Sequence, residues 1–366
     1  MSTETPDDEP LYANRSDWKD VEPLEQYEDI NPLAPIFYTE EYKDATNYFR
    51  GIVKRGEKSP RVLDLTENII RQNPAHYSAW QYRYETLLAL LPSDNVASSP
   101  ILEAEVRLMD ELAVLFLKTY QVWHHRRLLV ALTRKPKREL DFIRKGLEAD
   151  AKNYHTWSYR QWLLGTFGGR GANVTDAEGG VEDVDEDLWI GELDFVDTML
   201  AQDVRNNSAW HHRFFVVWGC GVREGDEDRE RVLKRELTYV KQNISLAPSN
   251  PSAWNYLRGV LTHTRTPFSA VADFALPYAY PRGAYHVKDV VDLENPSPSD
   301  TAQLPCVQAM EFMADVWERE GGEEKTEQAV KMWTSLANEH DTIRKKYWEH
   351  RIREAHLALK GQKRAA

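Results

Sequence analysis

The sequence has little cysteine, with Cys220 and Cys306 as the two examples in 366 residues. Two widely separated cysteines form no framework of disulfides and lack the spacing of metal ligands. No run of about 18 apolar residues occurs, so no membrane-spanning helix is predicted. The acidic first ten residues lack the basic and apolar regions of a secretory signal. These absences predict a protein of a reducing, cytoplasmic compartment.

Positive charge is also in deficit, because the net charge is −13. Two segments account for the deficit: residues 1–29 carry ten acidic and two basic side chains, and residues 171–187 carry seven acidic and no basic ones. Outside them, 44 basic side chains stand against 42 acidic ones. The balance predicts no nucleic-acid partner, yet it leaves room for a local basic site that binds an anionic ligand.

No segment of alternating apolar and polar residues is long enough to predict a strand. Apolar residues instead recur at three- and four-residue spacing from Tyr38 onward. One helix is well marked at both ends. Ser59 is a favoured N-cap residue, and Pro60 is favoured at the first helical position. The helix is predicted to end at Asn73, because Pro74 follows it. The sequence therefore predicts an all-α fold.

Three stretches depart from helical periodicity. Residues 1–36 are acidic and proline-rich, which predicts a disordered or loosely extended tail. The Gly-rich, acidic residues 165–187 predict an exposed inserted loop, and the prolines of 276–300 predict an irregular stretch. The remainder, 37–366, is predicted to form a single helical-repeat domain.

An internal repeat is the main feature of the sequence. Six segments share a tryptophan: Trp80, Trp123, Trp157, Trp210, Trp254 and Trp348. Five of them have an arginine three residues later: Arg83, Arg126, Arg160, Arg213 and Arg351. The shortest interval, the 34 residues from Trp123 to Trp157, has room for two helices and a turn. The longest, from Trp254 to Trp348, is predicted to contain a repeat without its tryptophan.

Structural roles are expected for these residues. Positions i and i+3 share a helix face, so the ring and the arginine stem can pack together while the guanidinium reaches a carboxylate. The His-His pairs at 124–125 and 211–212 are also interpreted as structural, because adjacent helical residues point about 100° apart and no HExxH arrangement occurs. No metal site is predicted in this chain.

Longer segments resemble the α-subunit family of protein prenyltransferases, in order, over roughly residues 35–358. They are LKTYQVWHHRR (117–127), DAKNYHTWSYRQW (150–162), DVRNNSAWHHRFFV (203–216), NPSAWNYLRG (250–259) and DTIRKKYW (341–348). The resemblance implies a right-handed α-α superhelix, a crescent-shaped, tetratricopeptide-like solenoid of antiparallel helix pairs.

An enzyme active as a heterodimer is the function that this resemblance implies. The α subunit would wrap around a β subunit, which holds the catalytic zinc, and magnesium would serve farnesyl transfer. A farnesyl or geranylgeranyl group would pass from its diphosphate to the cysteine of a C-terminal Cys-a-a-X motif, in proteins such as small GTPases. The β subunit would select the lipid, so this sequence does not identify it.

Six site residues follow from the resemblance. Lys118, Tyr120, Tyr154 and His155 match residues that bind the isoprenoid diphosphate; of these, Lys118, Tyr120 and His155 would stabilise the departing diphosphate. Cations and hydrogen-bond donors at helix starts suit that task. Gln121 matches the residue that binds the C-terminal carboxylate of the protein substrate.

Tyr77, one repeat earlier, matches a residue of the isoprenoid and product groove. Lys152 is expected to be an ordinary surface residue. Leu117 and Thr119 depart from the family pattern, which leaves Lys118, Tyr120 and Gln121 intact.

Two alternatives stay open. The α subunit of Rab geranylgeranyltransferase has similar repeats, but its animal forms carry leucine-rich repeats, and no Leu-x-x-Leu-x-Leu series occurs here. A non-catalytic helical-repeat adaptor would bind a partner in its groove. The uneven repeat spacing, together with LKTYQ and AKNYH in consecutive repeats, favours the enzyme subunit shared by protein farnesyltransferase and geranylgeranyltransferase type I.

Overall fold

The structure, a computed structural model, describes residues 10–27, 31–94, 96–169, 185–220, 229–284 and 292–365. Within these ranges the chain forms α-helices, short 3-10 turns and two π-helical turns, and no strand. The predicted all-α class is confirmed. No helix of the described ranges is long and apolar enough to cross a membrane.

The chain divides into two compact units, Met1–Leu163 and Leu164–Ala366. The boundary falls within helix α7. Unit 1 contains α1 (Glu40–Arg55), α2 (Pro60–Gln72), α3 (Tyr77–Leu90), α4 (Pro100–Leu115), α5 (Tyr120–Thr133), α6 (Pro136–Ala149) and most of α7 (Tyr154–Phe167). Unit 2 contains α8 (Glu192–Gln202), α9 (Asn207–Phe214), α10 (Arg229–Leu246), α11 (Pro251–His263), α12 (Ala272–Ala275), α13 (Val307–Glu320), α14 (Glu323–Ser335) and α15 (Lys345–Ala365).

Helices pair in sequence order, as the repeat predicted: α2 packs on α3, α4 on α5, α8 on α9 and α10 on α11. A polar residue caps the second helix of several pairs. Asn206 accepts hydrogen bonds from the backbone N–H groups of Ser208 and Ala209, and Asn250 accepts one from that of Ser252. These caps satisfy donors that a helix start leaves unpaired. Ser59, by contrast, sits at its predicted N-cap but donates its hydroxyl to Glu57.

Helix α13 lies in the long interval between Trp254 and Trp348. Trp254 stands four residues after its N-cap, Asn250. In α13 the corresponding residue after the N-cap Cys306 is Met310, which is buried. Met310 therefore takes the position after the N-cap that tryptophan has in the other repeat helices.

Part of the N-terminal tail packs against the first helices. Residues 10–27, here called the N-terminal strap, lie against unit 1 with the side chains of Tyr12, Trp18 and Val21 buried. Asp20 of the strap forms ion pairs with Arg55 and Arg61 at 2.9 Å, and both arginines hold the pKa of Asp20 well below its usual range. The tail was predicted to be disordered or loosely extended, and an average over an acidic segment conceals the three apolar residues that anchor this part of it.

Glycine is needed where helix α1 meets the strap. A Cβ atom at Gly51 would lie 2.4 Å from the backbone oxygen of Glu22 and 3.0 Å from a methyl carbon of Val21. The backbone of Leu24 also donates to the oxygen of Asn47 at 3.0 Å. The close approach of the two chain segments therefore depends on a residue without a side chain.

The inserted loop is shorter than predicted. Helix α7 continues to the buried Phe167, and a 3-10 turn forms at Glu186–Trp189 with Leu188 buried. The indole nitrogen of Trp189 donates to the oxygen of Gly168 at 3.0 Å, which joins the two ends. Residues 170–184, the centre of the predicted loop, lie outside the described residues.

The stretch predicted to be irregular, 276–300, contains one 3-10 turn, Leu276–Tyr278, among its described residues. Residues 285–291 lie outside them. The hydroxyl of the buried Tyr278 donates to the oxygen of Pro296 at 2.8 Å, so the two ends of the stretch are in contact.

Candidate functional site

The repeat tryptophans fix the turn within each helix pair. Each buried indole donates its N–H to the carbonyl oxygen six residues earlier, at 2.8–2.9 Å: Trp80 to Pro74, Trp123 to Leu117, Trp157 to Ala151, Trp210 to Val204 and Trp254 to Pro248. The apolar ring fills the pair interior and its polar atom closes the turn. Trp348 differs, since its indole donates to the Asp341 carboxylate at 3.1 Å. The repeat tryptophans therefore pack inside the helix pairs and close their turns.

The repeat arginines reach carboxylates of the next helix pair. Arg83 forms two hydrogen bonds to Glu105, Arg126 two to Glu139 and Arg213 two to Glu236, all at 2.6–3.2 Å between side chains that are at least nine-tenths buried. Such bidentate pairs are the strong form of ion pair. Arg351 pairs with Asp315 at 2.9 Å, and Arg160 is buried. The fifth repeat, with Leu257 at the arginine position, uses Arg258, which also contacts Asp315.

A third residue completes each buried charge pair. Two residues after the tryptophan, His125 binds Glu105 at 2.8 Å, Tyr159 donates to Glu139 at 2.8 Å and Tyr256 donates to Glu236 at 2.6 Å. Arg83 and His125 hold the pKa of the buried Glu105 at about 2, against the desolvation that raises it. Sequence reasoning missed these carboxylates, because only packing brings them to the arginines.

The two His-His pairs have structural members. His212 binds Glu192 at 2.5 Å, as His125 binds Glu105, and all four side chains are buried. Among the described residues, no three His, Cys, Asp or Glu side chains are arranged as a metal site would require.

Exposed tyrosines begin three successive second helices of unit 1. Tyr77, Tyr120 and Tyr154 are the first residues of α3, α5 and α7, and their exposures are 74%, 70% and 70%. Each lies three residues before a buried tryptophan, so one helical turn carries both a packing residue and an exposed aromatic. Exposed aromatic residues at corresponding positions are typical of a surface that binds a partner or ligand.

The four predicted diphosphate residues lie together. The rings of Tyr120 and His155 meet edge to face with centroids 4.4 Å apart, and His155 also contacts Tyr154 at 5.6 Å. His155 is hydrogen-bonded to the backbone of Lys118. Desolvation lowers the pKa of His155, which this hydrogen bond opposes in part, so the imidazole is neutral at physiological pH. The exposed Lys118 stands two residues before α5.

A cleft of about 400 Å³ separates α3 from α5. Tyr77 and Gln121, the other two predicted residues, both line it, and the Gln121 amide donates to the oxygen of Ala75 at 3.3 Å. Its lining is mostly aromatic and also includes Gln81, Tyr84 and His124. Sequence reasoning missed Gln81 and His124, although they follow Tyr77 and Tyr120 by four residues and so share their helix face.

Comparison with known proteins identifies the repeat. The profile of the protein prenyltransferase alpha subunit repeat matches residues 59–90, 102–133, 136–167, 189–219 and 233–264, which correspond to five helix pairs. The farnesyltransferase/geranylgeranyltransferase type-1 subunit alpha of Dictyostelium discoideum is 32% identical over 350 residues, which are 95% of this chain and 95% of that protein. The chain belongs to the protein prenyltransferase α-subunit family.

A solved member of this family has the same fold. The structure of Candida albicans protein geranylgeranyltransferase-I complexed with GGPP matches with a TM-score of 0.71 and 28% identity, covering 93% of this chain and 99% of that one. The rat geranylgeranyl transferase type-2 subunit alpha is 30% identical over 227 residues, but these are 60% of this chain and 37% of that protein. Similarity to the shared type-1 subunit therefore extends over the full length, whereas similarity to the type-2 subunit is partial.

Proposed function

We propose that this chain is the α subunit of a heterodimeric protein prenyltransferase, the subunit shared by farnesyltransferase and geranylgeranyltransferase type I. With a β subunit it would transfer a farnesyl or geranylgeranyl group from its diphosphate to the cysteine of a C-terminal Cys-a-a-X motif. The full-length similarity to the Dictyostelium discoideum subunit supports this choice over the type-2 enzyme.

One observation carries the proposal. The exposed start of α5 presents Lys118 and Tyr120 beside His155 of α7, with 4.4 Å between the two ring centroids. This cluster contains one cation and several hydrogen-bond donors, and it stands on helix pairs whose interiors are buried. A preorganised group of donors can stabilise charge that develops in a transition state.

In the reaction, the substrate thiolate forms a carbon–sulfur bond to the first isoprenoid carbon as the bond from that carbon to the diphosphate oxygen breaks. Negative charge grows on the departing diphosphate. The ammonium of Lys118 and the hydroxyls of Tyr120 and Tyr154 would stabilise that charge. The sequence predicted the same role for His155, but the one N–H of its neutral ring donates to the backbone of Lys118, so His155 would instead hold the Lys118–Tyr120 turn in place.

The cleft beside the cluster would receive the protein substrate. Gln121, whose amide contacts Ala75 at 3.3 Å in the free chain, would donate to the substrate's terminal carboxylate. Tyr77, on the opposite side of the cleft, would contact the isoprenoid or the prenylated product.

Zinc and magnesium belong to this proposal through the family resemblance. The described part of this chain offers no fitting ligand set for either ion. We therefore assign the zinc, which would activate the substrate thiol, to the β subunit, and we retain magnesium for farnesyl transfer. A cytoplasmic location is also proposed, which the low cysteine content supports.

Co-expression tests the proposal. The chain is expressed with each prenyltransferase β subunit of its own organism, and prenyl transfer to peptides ending in Cys-a-a-X is assayed with both diphosphates. We expect stable heterodimers and transfer with the farnesyl- and type I geranylgeranyl-specific β subunits. Activity with the Rab-type β subunit alone would favour the type-2 enzyme, and pairing without any transfer would favour an adaptor.

A further inference from the structure

A second cleft lies in unit 2, within residues 261–320. Its volume is about 480 Å³, and it is formed by the end of α11, the 3-10 turn Phe268–Val271 and the end of α13. Two arginines, Arg265 and Arg319, line it. The hydroxyl side chains of the lining are Thr262, Thr266 and Ser269, and the apolar ones are Leu261, Pro267, Phe268 and Val316.

Both arginines lack a carboxylate partner among the described residues. Arg258, Arg344 and Arg351 of the same unit all form ion pairs, whereas Arg265 and Arg319 form none. The acidic residue of the cleft, Glu320, is engaged by Lys325 at 3.0 Å. The cleft is therefore locally positive, although the whole chain has a net charge of −13.

Arg319 is held in place by aromatic stacking. Its guanidinium lies 4.0 Å from the centre of the Phe268 ring, and Phe268 stacks on Phe312 with an interplanar angle of 7° and centroids 5.4 Å apart. Both phenylalanines are buried. One terminal nitrogen of Arg319 donates to the backbone oxygen of Asp315 at 3.4 Å, which leaves its other in-plane N–H groups for an anion.

Arg265 is positioned by the end of α11. Its φ of 55° is in the left-handed region, and the backbone of Thr266 donates to the oxygen of Leu261 at 2.9 Å, closing the helix. Glycine is the residue usually found at such a position. Arg265 therefore adopts a backbone conformation that is unfavourable for any residue with a side chain, and it places a cation at the rim of the cleft.

We propose that this cleft binds a phosphate monoester whose organic part is apolar. The fork of a guanidinium matches phosphate oxygens, and the hydroxyls of Thr262 and Ser269 supply further donors, whereas that of Thr266 is hydrogen-bonded to Thr264 at 2.8 Å. The volume exceeds that of a phosphate group, and the remaining space is bounded by Leu261, Pro267 and Val316. The cleft shares no lining residue with the Lys118 cluster.

Isothermal titration calorimetry tests the site, with the heterodimer and phenyl phosphate as the probe. Inorganic phosphate and phenol are the comparison ligands, which separate recognition of the phosphate from that of the ring. We expect saturable binding of phenyl phosphate, weaker binding of inorganic phosphate and no binding of phenol. Absence of saturable binding by the wild-type protein would overturn the proposal.

Variants locate the binding. Arg265→Gly removes the cation and supplies the residue that suits the backbone, so affinity should fall at least tenfold while the melting temperature stays the same or rises. Arg319→Gln should also weaken binding at least tenfold. Arg134 offers a matched control, because it has a φ of 54° at the end of α5 but does not line the cleft. Arg134→Gly should leave affinity unchanged.

Prenyl transfer by the same variants keeps this inference distinct from the proposed function. Arg265→Gly and Arg319→Gln should transfer the lipid at the wild-type rate with saturating substrates. Unchanged phenyl phosphate affinity in both variants would refute the cleft as the binding site, whatever the enzymatic result.

Discussion

Two helix pairs, α4–α5 in unit 1 and α8–α9 in unit 2, have nearly the same interior. Arg126 binds Glu139 and Asp110, and its guanidinium lies 3.6 Å from the Phe142 ring. In the other pair, Arg213 likewise binds Glu236 and Asp197. Its guanidinium also lies 3.6 Å from an aromatic ring, that of Tyr239. Both tryptophans donate to the carbonyl six residues earlier at 2.8 Å.

Their helix starts are different. Helix α5 begins with Tyr120 and Gln121, and Lys118 stands two residues before it. Helix α9 begins with Asn207 and Ser208, and Arg205 stands two residues before it. The interior positions preserve packing and charge pairing, while the exposed positions one turn earlier are free to vary. A repeat can therefore acquire chemistry at its start without any change in what holds it together.

The largest effect is expected from the shared interior. Trp123→Ala and Trp210→Ala should each lower the free energy of unfolding by about 3–5 kcal/mol, the usual loss for a buried tryptophan. Urea unfolding followed by circular dichroism measures both. Trp123→Phe, which retains most of the apolar contact, serves as the milder control. A loss below about 1 kcal/mol for either alanine variant would show that the two interiors are not equivalent.

The helix starts should separate the two pairs. Lys118→Ala should lower the rate of prenyl transfer by about 10²–10³, the usual cost of one contact to a developing anion. Arg205→Ala, at the corresponding position before α9, should change the rate less than about twofold, since no cluster is proposed there. Single-turnover transfer by the purified heterodimer measures both. Equal losses would mean that Lys118 has no special role.

Substrate binding should be affected one residue into the helix. Gln121→Ala should raise the KM for a Cys-a-a-X peptide by about tenfold or more, because a hydrogen bond to a charged group contributes about 1.5–3 kcal/mol. The maximal rate should change little. Ser208→Ala, at the same position of α9, is the control, and an unaltered KM in Gln121→Ala would exclude the carboxylate role.

The smallest effect concerns the cap of α3, where His76 replaces the asparagine that caps α9. Nδ1 of His76 accepts from the backbone N–H of Ala79 at 3.1 Å, and desolvation lowers the pKa of His76 below its ordinary 6.5. The unfolded chain therefore binds the proton first, so this cap's contribution is complete above pH 6.5 and is lost as the pH falls through the lowered pKa.

His76→Asn replaces the titrating cap with one that does not titrate. The wild-type protein should lose free energy of unfolding between pH 7.5 and pH 5, and in His76→Asn this loss should be smaller by about 1 kcal/mol, the typical contribution of an N-cap. Urea midpoints of both proteins across that interval supply the measurement. If the two profiles had the same slope, the cap would not be the titrating group.

The sequence predicted the helical class and the repeat because both depend on short spacings, such as that from Trp123 to Arg126. The sequence did not predict which carboxylates bind the repeat arginines. These are Glu105, Glu139 and Glu236, and 13–23 residues separate each of them from its arginine. Each arginine meets its carboxylate only when neighbouring helix pairs are stacked, and local sequence pattern does not show that stacking.

Site residues divide in the same way. Similarity to the family identified Lys118, Tyr120 and Gln121, and their helix starts follow from local pattern. The contact of Tyr120 with His155 depends on the stacking of α5 on α7, which local pattern does not reveal. The N-terminal strap was missed for a related reason, because the burial of Trp18 requires a surface supplied by residues far along the chain.

The charge pairs between neighbours also restrict how such a chain can change its length. Arg83 relies on Glu105, which stands 22 residues later in the following pair and is shared with His125. Deleting a single helix would leave a buried guanidinium or carboxylate with no counterion, a loss that costs several kcal/mol. Insertions and deletions during evolution would therefore be tolerated as whole helix pairs, or in the loops between them, and rarely as anything smaller.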